Sequence, residues 1–204
     1  MIKIIDYGLG NVQAFLNAFK AINLEAGPAK NSIDLKEASH IILPGVGSFD
    51  QAMKLLLSSG MRDPIEYMVF EKKIPILGVC VGMQILGNGS EEGSDEGLQW
   101  IDGFVKKIDS SIHANQLPLP HMGWNDVFKL KNKKLFKNLN SNRDFYFLHS
   151  YHFECYENES EIAKVEYGKE MTCAINKDNI FGVQFHPEKS HLNGINLLKN
   201  FASI

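Results

Sequence analysis

The chain has 204 residues, enough to bury a substantial core, and its 44% apolar and 22% charged residues exclude an intrinsically disordered protein. The net charge of −3 gives no electrostatic reason to expect nucleic acid or an anionic membrane as a partner. Three scattered cysteines form no disulfide framework, and no apolar run suits a signal peptide or a transmembrane helix. We therefore expect a single cytoplasmic domain over residues 1–204.

The first half of the chain alternates short apolar runs with amphipathic segments, which is typical of a parallel sheet flanked by helices. Strands are predicted here at residues 1–5, 24–26, 40–43 and 74–79. A helix after the first strand is indicated by the apolar residues 12, 15, 16, 19 and 22, which share one face. Two more helices are expected, one from Ser48 to Gly60 and one from Asp63, the predicted N-cap, with Pro64 in its first turn.

The second half has a different sequence pattern, in which strand-like stretches predominate. They lie at residues 98–108, 145–151, 162–165, 171–175 and 180–185. A last helix, with Ile195, Leu198 and Phe201 in register, is expected to pack the C-terminus against the core. Together these patterns predict an α/β fold. Its central sheet would be mostly parallel with flanking helices, and mixed or antiparallel strands would extend it in the second half.

Cys80 stands where the apolar run 76–79 ends and the predicted helical residues 81–84 begin. A sharp turn from a strand into a helix leaves little room for side chains, and Gly78 and Gly82 on either side of the cysteine suit such a turn. The backbone N–H groups at the start of the helix favour negative charge on the sulfur. This layout predicts a nucleophile elbow that presents Cys80.

His186, Pro187 and Glu188 supply an imidazole and a carboxylate two residues apart, which on an extended segment point to the same side. Pro187 is expected to hold His186 in the extended region. A thiol, an imidazole and an orienting carboxylate are the minimum set for covalent acyl transfer. Cys155 and Cys173 lack a comparable setting and are interpreted as core or surface residues.

Two glycine-rich loops lie near the predicted nucleophile. Pro44 to Ser48 follows the third strand, so in a parallel sheet it should lie at the same edge as Cys80, where its N–H groups could bind an oxyanion. Residues 89–97 combine glycine with four carboxylates, which would repel phosphate. That loop is predicted to be either solvated or a site for a cationic group such as an α-ammonium.

No metal or other cofactor is expected. His149, His152 and Cys155 could suggest metal ligands, but residues three apart on a strand face opposite sides. We therefore do not predict a metal site from them.

Seven segments together resemble the class I (triad) glutamine amidotransferases, and most closely the family of glutaminase subunits of imidazole glycerol phosphate synthase, an enzyme of histidine biosynthesis. The segments cover the chain nearly end to end: Asp6 to Asn11, Leu43 to Phe49, Gly78 to Gln84, Ser90 to Gly93, Pro120 to Asn125, Phe147 to Tyr151 and Gln184 to Ser190. The resemblance implies a glutaminase that hydrolyses glutamine to glutamate and ammonia.

The resemblance also implies residue roles. Cys80 would be the nucleophile, His186 the general acid and base, and Glu188 the carboxylate that orients the imidazole. The oxyanion would be held by N–H groups of Val46 and Val81. The remaining implied roles are glutamine binding by Gly45, Gly47, Gln84, Glu92, Ser150 and Tyr151, and partner contact by Asn11, Met122, Trp124 and Tyr146.

The implied partner is a (βα)8-barrel cyclase subunit that forms a heterodimer with this chain and receives its ammonia. Three alternatives stay open at the level of sequence. They are a paralogous amidotransferase subunit for another acceptor, such as amidino-sugar synthesis for surface polysaccharide, a cysteine peptidase, and a catalytically silent partner-binding module. Hydrolysis of peptide substrates would identify a cysteine peptidase, and the lack of a reactive thiol would identify a silent binding module.

Overall fold

The computed structural model describes residues 1–109, 111, 117–132, 134–139 and 143–204. The described strands are β1 (Ile2–Ile5), β2 (Ala26–Ala29), β3 (His40–Gly45), β4 (Ile76–Cys80), β5 (Gly103–Lys107), β6 (His121–Phe128), β7 (Asp144–His149), β8 (Tyr151–Cys155), β9 (Glu161–Tyr167), β10 (Lys169–Lys177) and β11 (Ile180–Val183). The described α-helices are α1 (Val12–Ala21), α2 (Phe49–Ser58), α3 (Arg62–Phe70), α4 (Val81–Gln84) and α5 (His191–Phe201).

All the described strands join one sheet, whose main path runs β2-β1-β3-β4-β11-β10-β9-β6-β7, while β5 and β8 pair with each other and branch from β10. The first five strands of that path are parallel. From β11 onward the pairing is antiparallel. The predicted architecture, a mostly parallel sheet with an antiparallel extension, is therefore confirmed.

The inner parallel strands β3 and β4 are buried on both faces, which explains their continuous apolar runs. Ile41, Ile42 and Leu43 of β3 are fully buried, and every residue of β4 is buried. Helix α1 presents Phe15 and Phe19 to the core, as its apolar spacing predicted. These contacts fix the positions of the strands that carry the candidate site.

Several boundaries in the parallel half differ from the prediction. Strand β3 continues to Gly45 beyond the predicted residue 43, and β4 spans Ile76–Cys80 where residues 74–79 were predicted. Strand β2 begins at Ala26 because the Leu24 N–H donates to the Phe19 carbonyl and closes the end of α1 instead. Helix α3 begins at Arg62 with Met61 as its N-cap residue, so Asp63 lies in the first turn and is not the cap. Met61 is fully buried, and its anchorage in the core sets where this helix begins.

The second half departs further from the predicted strands. The stretch 98–108 is a strand only at β5, and the stretch 145–151 is two strands, β7 and β8, separated at Ser150. Strand β6 was not predicted at all. Its exposed positions carry Met122 and Trp124 while its first buried position is His121, so its polarity pattern is the reverse of a typical surface strand.

Strands β9 and β10 extend beyond the predicted stretches, and β11 ends at Val183, two residues before the predicted end. Within the described parts of the chain, no helix combines the length and apolarity that crossing a lipid bilayer requires.

Candidate active site

The candidate site lies where β3, β4 and β11 end. In the parallel pairing of β3 with β4, Gly45 lies opposite Cys80, and Val183 at the end of β11 lies opposite Val79. The carboxyl ends of parallel strands meet at one edge of a sheet. The loop after β3, the turn at Cys80 and the segment that leads to His186 therefore converge, as the sequence predicted.

Cys80 lies at a strained turn between β4 and α4. Its backbone angles are φ 56° and ψ −114°, a conformation that costs a residue with a side chain about 1–3 kcal/mol. A Cβ atom on Gly82 would collide with the Leu43 carbonyl oxygen, and one on Gly78 would lie 2.5 Å from the Gly82 carbonyl oxygen. Glycine is therefore required on both sides, and the turn has the geometry of a nucleophile elbow.

The Cys80 side chain lies at the bottom of a cavity and is 4% exposed. Its Sγ lies 3.6 Å from Nε2 of Gln184, which donates to it, and 3.9 Å from the Leu148 carbonyl oxygen. His186 lines the same cavity. The structure thus brings the predicted nucleophile and the predicted imidazole to one site.

The His186 ring is held by Glu188. Nδ1 of His186 lies 2.8 Å from Oε1 of Glu188, and both side chains are buried. Burial alone would lower the pKa of His186, but interactions with the Cys80 sulfur and the Glu188 carboxylate outweigh it and raise that pKa to about 10. An imidazolium between a sulfur and a carboxylate is thus the favoured state at neutral pH.

The segment that carries this pair is only partly extended. His186 has extended backbone angles, φ −101° and ψ 94°, as predicted from Pro187, but residues 187–189 form a short 3-10 helix. The prediction that an extended segment aligns Glu188 with His186 is therefore wrong in detail. Ser190 closes this turn, because its Oγ donates to the His186 carbonyl at 2.6 Å and accepts from the Tyr146 N–H at 3.0 Å.

The cavity above Cys80 has a volume of about 250 Å³. Most of the residues expected to bind glutamine or an oxyanion line it. These are Val46, Gly47, Val81, Gln84, Glu92, Ser150 and Tyr151. Gly45 does not line it but lies buried beneath, where a Cβ atom would approach the Gly82 nitrogen to 2.5 Å.

Three lining residues were not predicted: Pro120, Leu148 and His149. Leu148 and His149 directly precede the predicted Ser150, and Pro120 precedes β6. All three lie inside the family-like segments Pro120 to Asn125 and Phe147 to Tyr151, and that membership is the signal that could have found them.

Glu92 is fixed at the rim of the cavity by the start of α2. Its Oε2 accepts a hydrogen bond from the Phe49 N–H at 2.9 Å. The carboxylate of Asp50 accepts from the N–H groups of Ser94 and Asp95, which lowers the pKa of Asp50 and ties the acidic loop to the same helix. Residues 89–97 were predicted to be either a solvated loop or a site for a cationic group. The fixed Glu92 carboxylate is consistent with the second.

An exposed aromatic surface lies on β6 and β7. Trp124 stacks parallel on the ring of His191 at 4.8 Å and meets Tyr146 edge-on at 6.1 Å. Met122 is exposed on the same strand. We call Met122, Trp124, Tyr146 and His191 the Trp124 face.

Asn11, the remaining predicted partner residue, also has a structural role. It is the N-cap of α1, where its side chain accepts from the Ala14 N–H at 3.0 Å. In the described ranges, no group of three or more His, Cys, Asp and Glu side chains is placed to hold a metal ion.

Comparison with known families agrees with this geometry. The model of the family described as "Glutamine amidotransferase class-I" matches residues 3–203. The chain belongs to the class-I glutamine amidotransferase family. Solved structures show the same fold for this amidotransferase. A protein titled "Crystal structure of glutamine amidotransferase" aligns with a TM-score of 0.75 at 17% identity, covering 100% of this chain and 99% of the other.

A second solved structure, PurLQS from Thermotoga maritima, aligns with a TM-score of 0.73 at 16% identity, covering 99% and 97% of the two chains. Among curated relatives of the amidotransferase, the imidazole glycerol phosphate synthase subunit HisH of Leptospira interrogans is 53% identical over 204 residues, 100% of both chains. The subunit of the same name from Bdellovibrio bacteriovorus is 49% identical, again over 100% of both.

Proposed function

We propose that this chain is the glutaminase subunit of an imidazole glycerol phosphate synthase in histidine biosynthesis. It would hydrolyse glutamine and pass the ammonia to a cyclase subunit. The observation that carries the proposal is the convergence of an elbow cysteine with a buried histidine and carboxylate in one small cavity. Full-length identity of 53% and 49% to HisH subunits supports the choice of pathway.

The size of the cavity supports a single amino acid as substrate. Pockets for drug-sized ligands have volumes of about 300–1,000 Å³. A cavity near 250 Å³ suits one amino acid better than a peptide, which would need an extended groove. Glu92 at its rim supplies the negative charge that would recognise the α-ammonium of glutamine.

The first chemical step uses the proton that His186 carries. The Cys80 sulfur attacks the side-chain carbonyl carbon of glutamine, and the N–H groups of Val46 and Val81 hold the oxygen of the tetrahedral adduct. One such donor is typically worth about 3 kcal/mol of barrier. His186, which carries a proton at neutral pH, gives it to the leaving nitrogen. The C–N bond breaks, ammonia departs, and a γ-glutamyl thioester remains on Cys80.

The second step reverses the role of the imidazole. His186, now neutral, takes a proton from water while the hydroxide attacks the thioester carbonyl. The sulfur leaves, glutamate is released, and the imidazolium beside Glu188 is restored. Ammonia in bulk water would pick up a proton and cease to be a nucleophile, so a partner must collect it directly.

The Trp124 face supports a partner subunit. Trp124 is 45% exposed although it is large and apolar, and its ring is held rigid by stacking on His191. Exposed, pre-organised aromatic residues are characteristic anchors of protein interfaces. We propose that this face, with Asn11, docks on the cyclase.

The three free cysteines fit the reducing cytoplasm as the site of the complex.

The proposed function is tested by glutamate release with and without the cyclase subunit of the same genome. The isolated chain should be a poor glutaminase, and the cyclase with its phosphorylated ribulosyl substrate should stimulate it by about 100-fold, at the upper end of typical coupling between sites. The cyclase without that substrate is the control. Full turnover by the lone chain would contradict coupling. A chain that ignores this cyclase would instead serve another acceptor, such as an amidino-sugar enzyme.

Trp124→Ala should weaken binding to the cyclase by about 30-fold, because truncating an anchor residue costs about 2 kcal/mol or more. Titration calorimetry of the two subunits measures the effect. Tyr67→Ala is the matched control, since Tyr67 is 52% exposed but lies on α3, which contributes no residue to the Trp124 face. Equal affinities of the two variants would exclude the Trp124 face as the docking surface.

A further inference from the structure

A continuous chain of hydrogen bonds runs through the protein behind the cavity. It starts at Asn125 of β6, whose Nδ2 lies 3.2 Å from Nε2 of His121. Nδ1 of His121 lies 3.0 Å from Nε2 of His149 on the neighbouring strand β7. Nδ1 of His149 then lies 2.7 Å from the carbonyl oxygen of Tyr151. The two histidines are opposite each other in the register of β6 and β7, which makes the contact possible.

The same carbonyl continues the chain to the nucleophile. Nε2 of Gln84 donates to the Tyr151 oxygen at 3.2 Å and to Oε1 of Gln184 at 3.0 Å. Nε2 of Gln184 in turn donates to Sγ of Cys80 at 3.6 Å. Both glutamines are buried. We call the six members the relay: Asn125, His121, His149, the Tyr151 carbonyl, Gln84 and Gln184.

The direction of each hydrogen bond from β6 to the Tyr151 carbonyl is fixed by chemistry. A carbonyl oxygen can only accept, so Nδ1 of His149 carries the hydrogen and its Nε2 accepts. His121 must then donate from Nδ1 and accept at Nε2. Asn125 donates there, and its orientation is set because its Nδ2 also donates to the Glu166 carbonyl at 2.8 Å. Each imidazole has one fixed tautomer.

The relay requires both imidazoles to be neutral. A second proton on His149 would place two N–H groups face to face across the 3.0 Å contact with His121, and a second proton on His121 would do the same across its 3.2 Å contact with Asn125. Burial lowers the pKa of His121 to about 4 and that of His149 to about 3, so both are uncharged at neutral pH. His121 is further fixed between the rings of Phe147 and Tyr167, with centroids at 4.8 and 4.0 Å.

The relay joins the nucleophile to one wall of the cavity. The wall consists of Leu148, His149, Ser150 and Tyr151, at the bend between β7 and β8. His149 closes this bend, and the two glutamines connect it to Cys80. Fully satisfied buried networks of this kind rigidify a site.

We propose that His121 and His149 are positioning residues of the glutaminase reaction, which act through the Tyr151 carbonyl, Gln84 and Gln184 to fix the Cys80 sulfur relative to the substrate-binding wall. The inference rests on the proposed glutaminase function and goes beyond its triad. His121 does not line the cavity, so its effect on the reaction reaches the site through His149, which lines the cavity and continues the relay to the sulfur.

The decisive variant is His121→Phe, which keeps an aromatic ring between Phe147 and Tyr167 but cannot donate to His149. Misplacement of reacting groups by about 1 Å can cost about 100-fold, so we expect a loss of about 30-fold in kcat/KM for glutamine in the complex with the cyclase. His121→Asn, whose amide can donate from near the Nδ1 position, should recover most of the loss. Ammonia-dependent turnover of the same complex should be unchanged.

His152→Phe is the matched control. His152 is 2% exposed on β8, the next strand along the chain after β7, and neither of its ring nitrogens has a hydrogen-bond partner among the described residues. The same substitution there should change kcat/KM by less than about threefold. A comparable loss in both variants, or in neither, overturns the proposal.

Labelling with 6-diazo-5-oxo-L-norleucine, a glutamine-like electrophile, separates positioning from partial unfolding. In His121→Phe the label should still reach one per chain, on Cys80, but with a lower maximal rate; a lower final stoichiometry would mean loss of folded protein and would overturn the positioning role. If His121→Phe does not fold, His121→Leu is compared with His152→Leu by the same criteria, because neither residue lines the cavity. A wild-type complex that neither labels Cys80 nor hydrolyses glutamine would instead refute the proposed function itself.

Discussion

Cys80→Ala should abolish glutamine-dependent synthesis by the complex and leave ammonia-dependent synthesis intact. The alanine variant retains the cavity and the His186-Glu188 pair but has no atom that can form the thioester. Removal of a nucleophile from a catalytic triad can cost about 10⁶-fold in turnover, so we expect a loss of at least about 10⁴-fold. In the proposed complex, ammonia supplied as a salt would bypass this site, because the acceptor would be bound by the cyclase. Parallel assays with glutamine and with ammonium salt measure both quantities.

Cys155→Ala is the control for this experiment. Burial raises the pKa of Cys155 to about 12, so its thiol stays protonated and is a poor nucleophile at neutral pH. This variant should hydrolyse glutamine at the wild-type rate. Glutamine hydrolysis that survives in Cys80→Ala would refute the assignment of the nucleophile. Loss of the ammonia-dependent rate in Cys80→Ala would show instead that the complex no longer assembles.

The elbow could be predicted from sequence because its constraints are local. Gly78 and Gly82 are required by contacts within a few residues and with the adjacent strand β3, and the apolar run of β4 marks a strand buried on both faces. The position of the loop after β3 beside Cys80 follows from the same pattern, because the carboxyl ends of parallel strands meet at one edge of the sheet. The nucleophile and the loop beside it can therefore be predicted from the sequence.

The antiparallel half was harder to predict because its strands bury polar residues and expose apolar ones. In β6, His121 is buried while Met122 and Trp124 are exposed, so alternation of hydrophobicity points to the wrong face. The apolar stretch across β7 and β8 also hides the bend at Ser150. That bend depends on the hydrogen bond from His149 to the Tyr151 carbonyl, which propensity does not report.

The relay illustrates what sequence alone does not contain. His121 and His149 are 28 residues apart and meet only because β6 and β7 pair in one register. A shift by one residue would turn every side chain of a strand to the other face. The motifs that hold these residues were visible in the sequence, but the tautomers and their link to Cys80 follow only from the three-dimensional arrangement.

Glu188→Gln should lower kcat/KM for glutamine by about 10²- to 10⁴-fold, by analogy with amide replacement of a triad carboxylate. If the new amide nitrogen faces Nδ1 of His186, Nδ1 must accept its hydrogen bond and the ring proton stays on Nε2. The ring is then neutral and is a weaker acid toward the leaving nitrogen. If the amide oxygen faces Nδ1, the orientation survives but the negative charge is lost. Glu159→Gln, which changes an exposed carboxylate in the same way, should leave kcat/KM unaltered.

The pH dependence of kcat/KM should shift in one direction in Glu188→Gln. The pKa of His186 is raised from 6.5 to about 10, so the pairing stabilises the folded wild-type protein fully below about pH 6.5 and is lost as the pH rises through about 10. Removing the carboxylate charge lowers that pKa. The alkaline limb of kcat/KM, where the imidazolium loses its proton, should therefore move to lower pH in the variant. An unchanged alkaline limb would mean that Glu188 does not set the charge of His186, and the acid step would have to be assigned to another group.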